Sequence, residues 1–259
     1  MTCRLCKLDV PLIEAHIIPK PFFRAYGDGT RAPKLLSNSA GVRPKRVRTG
    51  FYDNGILCGE CDGRIGIWDQ YGADLLIRQL GSFQPFPNAA APVGFIMPKF
   101  SYDLLRLFVL SVLWRAHIST HEAFKVVKLG PYAVRLERMI AEADPGDPEE
   151  FCTVLSGFTV GGRFPGIGVP IMDPFRERWA GANAYRISLG VITAYIKTDK
   201  ARLPDALERM SLKPNAPLYL LERDFPSSSE ARVMREVARA PQNARAFNRT
   251  KRGASPNDT

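Results

Sequence analysis

Four of the five cysteines fall in two Cys-x-x-Cys pairs, Cys3/Cys6 in "CRLC" and Cys58/Cys61 in "CGEC". Such a turn presents two thiolates to one ion, and two turns complete a tetrahedral all-thiolate zinc site with Zn–S near ~2.3 Å. The stretch between Cys6 and Cys58 exceeds the ~15–20 residues usual between such pairs. Whatever lies there is therefore inserted between the knuckles and must fold back for the pairs to meet. Two unrelated reduced turns or a redox couple are the alternatives, but no thioredoxin-like βαβ pattern surrounds either pair. Cys152 has no partner nearby in sequence and reads as a small buried apolar residue.

Paired cysteines of this kind suit a reducing compartment, where metal rather than a disulfide is the expected link. The opening "MTCRLCKLDV" lacks the apolar region of a secretory signal. The longest apolar run, "LLRLFVLSVLW" at 104–114, is broken by Arg106 and is well short of the ~20 residues a spanning helix needs. The expectation is a soluble cytoplasmic protein with no membrane partner. Thirty-six basic against 26 acidic residues give a net charge of +10. That field favours polyanions, nucleic acid foremost, and is silent about fold.

The texture along 259 residues divides into four parts. Residues 1–80 carry the cysteines, and the middle of this part (27–50) is rich in Gly, Pro, Ser and Arg with no apolar period, which reads as a loop. A helix is predicted just after the second pair, where Ile65, Trp68, Leu75 and Leu76 recur at helical spacing. The proline-rich stretch 81–98 reads as a connecting loop. Residues 99–150 are a helical segment: "SYDLLRLFVLSVLWRAHISTHEAF", with Ser101 as N-cap and apolar nearly all round, then an amphipathic helix in "YAVRLERMIAEAD" that stops at Pro145-Gly146. Residues 151–240 read as an α+β region. Strands are expected in "FCTVLSGFTV", "AYRISLGVITAYIKTD" (one long strand, or a hairpin near Leu189-Gly190) and "APLYLLERDF", with a short helix at 228–239. The end, 241–259, is polar and basic and reads as a disordered tail. The class is α+β: an N-terminal zinc-knuckle module, a helical segment and a β-rich C-terminal region.

Only three histidines are present, and His16 stands directly before Ile-Ile-Pro in "EAHIIPKPFF", ten residues after the first knuckle. "CRLCKLDVPLIEAHIIPK" followed by "NGILCGECDGRIG" resembles the zinc-stabilised branch of the HNH endonucleases, specifically its bacterial and phage members with a SHIIPK-type motif. The likeness covers residues 3–70, with a looser echo to about 118. It implies two knuckles flanking a ββα unit that binds a catalytic divalent ion and cleaves DNA by phosphodiester hydrolysis. His16 then takes the general-base position, which suits an imidazole titrating near neutrality. Asn54 falls at the family's middle position, beside Asp53, and Asp62 at its last metal-ligand position, a hard oxygen donor for Mg²⁺ or Mn²⁺. The residue before the histidine, a metal ligand in the family pattern, is Ala15 here and coordinates nothing. Glu14 would point to the opposite strand face. Asp69, seven residues beyond Asp62, shares a helix face with it, either to rebuild a carboxylate site or, the reading preferred here, as part of a solvated helix side. The plain alternative for His16 is a core histidine bracing the knuckle. His117 and His121, four apart, read as cations at a helix C-terminus rather than as a metal pair.

Arg43, Lys45, Arg46 and Arg48 put four cations within residues 43–48, inside the insertion between the knuckles, and Lys20 extends the same segment. These residues suit contacts with a nucleic-acid backbone, or an ordinary charged loop. The leading reading is thus a zinc-stabilised HNH-like DNA-binding protein with His16 as base. The alternative is a catalytically degenerate zinc scaffold that binds nucleic acid or protein, and a small-molecule enzyme housed in residues 100–225 is a third class.

Overall fold

The structure is a computed structural model, and it describes residues 1–24, 34–35, 45–46, 50–86, 93–165 and 171–239. Arg43, Arg48 and the predicted tail 241–259 lie outside the described residues.

The chain begins with the first cysteine turn, where Lys7 adopts a left-handed conformation (φ 63°) and its amide bonds Cys3 O at 3.0 Å. Strand β1 (Ala15–His16) follows, then the short helix α1 (Lys20–Arg24). Within the stretch expected to be a bare loop, the backbone of β2 (Lys34–Leu35) pairs antiparallel with β3 (Lys45–Arg46). Strand β4 (Tyr52–Asp53) returns antiparallel to β1, with Ala15 opposite Asp53 and His16 opposite Tyr52. Helix α2 (Gly59–Ala73) comes next and continues into a π-helical turn at 74–78. It starts earlier than the sequence suggests: Cys58 is its N-cap, and Cys61 lies in its first turn.

The predicted connecting loop 81–98 contains two strands, β5 (Gln84–Pro85) and β6 (Gly94–Met97). Proline hid them, because a proline is tolerated at a sheet edge, where β5 lies. Helix α3 (Tyr102–Ile118) is buried on nearly every face from Leu105 to Ala116. Ser101 is its N-cap in position only; no side-chain cap bond forms, and the Ser101 amide instead donates to Tyr71 Oη at 2.5 Å. Helix α3 ends before His121, which caps a separate 3₁₀ turn. Helix α4 (Ala133–Glu142) stops at Ala143, which is left-handed at φ 54°.

The rest is sheet: β7 (Thr153–Thr159), β8 (Phe175–Trp179), β9 (Ala182–Leu189), β10 (Ile192–Lys197) and β11 (Leu218–Asp224), with α5 (Asp205–Arg209) between β10 and β11 and α6 (Ser229–Arg239) at the end. Strands β9 and β10 are a hairpin turning at Gly190, which decides between the two options the sequence left open. The seven strands run in the order β5-β6-β11-β7-β10-β9-β8, all antiparallel except β11 beside β7. Strands β7 and β10 are buried throughout, so both sheet faces are covered. One face meets the turn after α3: Tyr185 Oη donates to Lys128 O at 2.7 Å and accepts from its amide at 2.9 Å. The other is covered by α6, whose buried Glu230 bridges Arg186 of β9 and Arg223 of β11.

The main hydrophobic core runs from Cys3 through α2 and α3 into the sheet at Leu220, and a smaller cluster gathers Cys152, Val154, Ala182 and Leu203. At the α2–α3 crossing Gly72 has no room to spare: a Cβ there would sit 2.5 Å from the Phe108 ring. Phe22 stacks on the same ring at 5.5 Å, so α1, α2 and α3 converge on one aromatic side chain. No helix among the described residues is long and apolar enough to cross a membrane.

Candidate metal centre and the surroundings of His16

The fold brings the two cysteine pairs together by pinning the first turn onto the segment before α2. The Arg4 amide donates to Ile56 O at 2.9 Å and Ile13 to Leu57 O at 3.0 Å, while Leu12 bridges Cys58. The four Sγ atoms of Cys3, Cys6, Cys58 and Cys61 all lie within 4.8 Å of one another. Cys6 Sγ and Cys58 Sγ are 3.9 Å apart, close to the ~3.8 Å edge of a thiolate tetrahedron with Zn–S bonds of ~2.3 Å. None is in a disulfide, and three of the four are buried. Burial pushes the Cys3 thiol up, but donors from the backbone at Cys6, Cys58 and Leu5 outweigh it and hold its pKa at about 6. One such donor is the Cys58 amide, 3.4 Å from Cys3 Sγ. Burial and the neighbouring sulfurs raise the Cys61 thiol far above its ordinary value. Four thiols this close cannot all ionise without a cation, and a soft, tetrahedral donor set of this size fits zinc. Cys152 is buried apart from them.

His16 lies just beyond this centre on β1, half-buried, its ring 6.4 Å from that of Tyr52. Its main chain is held from below. Arg115, on the last turn of α3 and wholly buried, donates from Nη1 to His16 O at 2.7 Å. The same guanidinium grips Asp69 of α2 bidentately, Nη1 to Oδ2 at 2.8 Å and Nη2 to Oδ1 at 2.6 Å. Its remaining donors reach Ser111 O (3.3 Å) and Ser111 Oγ (3.2 Å). All five guanidinium N–H groups are thereby engaged. Asp69 is therefore a clamped partner and not the solvated helix side expected from sequence; its burial raises its pKa, with Arg115 opposing. Asp62, two turns earlier on α2, is half-buried, and burial likewise raises its pKa against the pull of Arg115 and His16. Asp62 accepts no hydrogen bond among the described residues, so its oxygens are uncommitted within electrostatic reach of His16.

The other positions divide between structure and surface. Ala15 is fully buried, on the strand face opposite His16. Asp53 is buried and accepts four hydrogen bonds: Gly55 N at Oδ1 (2.9 Å), and Ser119 Oγ (3.0 Å), Thr120 N (2.7 Å) and Thr120 Oγ1 (3.0 Å) at Oδ2. Against the cost of burial, these donors hold its carboxyl below the ordinary range. Asn54 is exposed in the turn after β4, Glu14 is exposed, and Lys20 opens α1 half-buried. Lys45 and Arg46 are on β3. His117 Nδ1 accepts from the Leu129 amide at 3.4 Å, and burial lowers its pKa. His121 Nδ1 accepts from Ala123 N at 3.2 Å, and its ring packs edge-on against Phe51. Among the described residues the only group of three or more His, Cys, Asp or Glu placed to hold a metal is the cysteine cluster.

Sequence reasoning missed Arg115. The signal was available: an arginine in a helix that is apolar nearly all round must find acceptors inside the fold. No family model matches the chain, and no curated protein or solved structure matches it either.

Proposed function

We propose that residues 3–73 form a zinc-held, HNH-like ββα module that binds nucleic acid and hydrolyses phosphodiesters, with His16 as general base. The observation that supports this best is the order β1–β4–α2 around the sulfur cluster, with His16 on the first strand and, on the helix, the Asp62 carboxylate, which accepts no hydrogen bond among the described residues. In this reading neutral His16 takes a proton from water. The resulting hydroxide attacks phosphorus, the P–O bond to the sugar oxygen breaks, the departing oxygen takes a proton from water, and His16 returns its own proton to solvent. A divalent ion, held through Asp62 and the Asn54 carbonyl, would offset the charge on the phosphate oxygens; Mg²⁺ commonly takes one or two carboxylates and completes its shell with water and substrate phosphate. Lys20, Arg43, Lys45, Arg46 and Arg48 supply backbone attraction.

A second reading, a scaffold that binds nucleic acid or protein without cutting, is favoured by one observation. The position before His16 is a fully buried Ala15, and two nearby carboxylates, Asp53 and Asp69, are spent on structural hydrogen bonds. Supercoiled-plasmid nicking with Mg²⁺ or Mn²⁺ separates the two. The nuclease reading expects nicking that His16→Ala abolishes while zinc content and melting temperature stay as in the wild type. Wild-type protein that binds DNA, carries zinc and leaves the plasmid intact selects the scaffold.

A further inference from the structure

We propose that Arg115 is the positioning residue for His16, locking the strand that carries the imidazole to the helix that carries Asp62. This deepens the nuclease reading and rests on it for its functional meaning.

The geometry is specific to that task. Arg115 reaches the carbonyl of His16 itself, 99 residues away in sequence, and not a neighbouring peptide. The fork that holds Asp69 reaches the same helix, two turns beyond Asp62. One planar guanidinium thus fixes a point on β1 and a point on α2 at once, and rotation about the Arg115 side chain is blocked by its bonds to Ser111. Strand β1 is only two residues long and has a single paired neighbour, β4. The amide of the same peptide, Ile17 N, donates to Phe51 O at 2.9 Å, so the hairpin fixes one polar atom of that peptide and Arg115 fixes the other. A buried ion pair adds little stability over apolar packing of the same volume, so direction is what this five-donor arrangement contributes. The cysteine cluster lies along the same pair of segments, where Leu12 bridges Cys58. The strand that carries His16 is therefore tied at one end to the segment of the cysteine cluster and at His16 itself to a guanidinium.

Two variants test this. Arg115→Lys keeps the charge and loses the fork; Asp69→Asn keeps shape and one acceptor and loses the charge-assisted pair. In each, zinc stoichiometry and the charge-transfer absorption of the Co²⁺-substituted protein report on the cysteine site. The His16 imidazole signals in ¹H–¹⁵N spectra report on the ring. The expected result for Arg115→Lys is an unchanged metal site, displaced or broadened His16 signals with His117 signals in place, and a kcat for nicking lowered by about 10²-fold at a KM within about twofold, the scale of a misplaced reacting group. His16 signals and kcat at wild-type values in both folded variants overturn the proposal. If Arg115→Lys does not fold, Asp69→Asn carries the same measurement. If wild-type protein does not nick DNA, the nuclease reading fails, while the His16 signals still decide whether Arg115 positions the ring.

Discussion

Asp53→Asn isolates the joint by which the end of α3 holds the second strand of the hairpin. Asparagine has nearly the same shape but one acceptor oxygen in place of two and no charge. If that oxygen faces Ser119 and Thr120, the three bonds there survive as neutral ones and the exposed Gly55 amide turns to water. Charge-assisted bonds contribute ~1.5–3 kcal/mol and neutral ones ~0.5–1.5 kcal/mol, so three conversions at about 1 kcal/mol each cost roughly 3 kcal/mol. For a chain of this size that is a fall of roughly 6–12 °C in melting temperature. The assay is denaturant unfolding and calorimetry at pH 7 on wild type, Asp53→Asn, Thr120→Ala and the double variant, each with zinc content measured. Because Thr120 donates twice to this carboxylate, the double variant should lose about 1 kcal/mol less than the sum of the singles. The sign with pH also follows. The folded-state pKa of Asp53 lies below its unfolded value, so its contribution is complete at neutral pH and is lost as pH falls through that folded pKa. The gap between wild type and Asp53→Asn should therefore close on acidification. An Asp53→Asn protein within 0.5 kcal/mol of wild type, a number on the order of ordinary surface changes, or strict additivity with Thr120→Ala, would refute the reasoning.

Metal analysis of the purified protein should give about one zinc per chain, and a strong chelator should abolish cooperative melting of the N-terminal part, since structural zinc binding of ~10–16 kcal/mol is itself folding free energy; a chain that is folded and metal-free refutes the centre. Gly72→Ala should destabilise by about 1–3 kcal/mol in thermal unfolding, although alanine is the better helix former, because the new Cβ meets the Phe108 ring at 2.5 Å; a stabilised variant would mean the α2–α3 crossing is looser than described. DNA affinity measured by anisotropy should fall steeply with salt, and Arg46→Ala with Arg48→Ala should reduce the log–log slope by about 1.8, two phosphate contacts at ~0.9 each. An unchanged slope assigns both arginines to ordinary surface.

What could be read from the sequence was whatever is local. The cysteine spacing picked out the four sulfurs that converge, a long apolar run placed α3 and 3.6-residue periodicity placed α4. Alternation at Tyr185, Ile187 and Leu189 found β9, though only pairing with β10 across Gly190 showed where the chain turns. Strand β6 was lost because "GFIM" is four residues long beside prolines, and a strand that short is specified by its partner β11, 121 or more residues away. The site followed the same division. The pattern singled out His16 and Asp62 by position, but the setting of Asp69 depended on a side chain 46 residues later on another helix, and that of Asp53 on hydroxyls 66 and 67 residues later. A carboxylate on a helix face looks solvated until its partner arrives from elsewhere.

Strand β11 sits in the interior of the sheet, between β6 and β7, yet is among the last segments of the sequence to be made. At ribosomal rates of ~5–20 residues per second, the β5–β6 ribbon waits on the order of ten seconds for its neighbour. Until then the nascent chain holds an early ribbon and a late four-strand unit with a gap the width of one strand. A stop codon before residue 218 would make that gap permanent, leaving β6 and β7 each without the neighbour that joins them. The contacts that seat His16, by contrast, come from residues no later than Arg115 and do not wait for that strand.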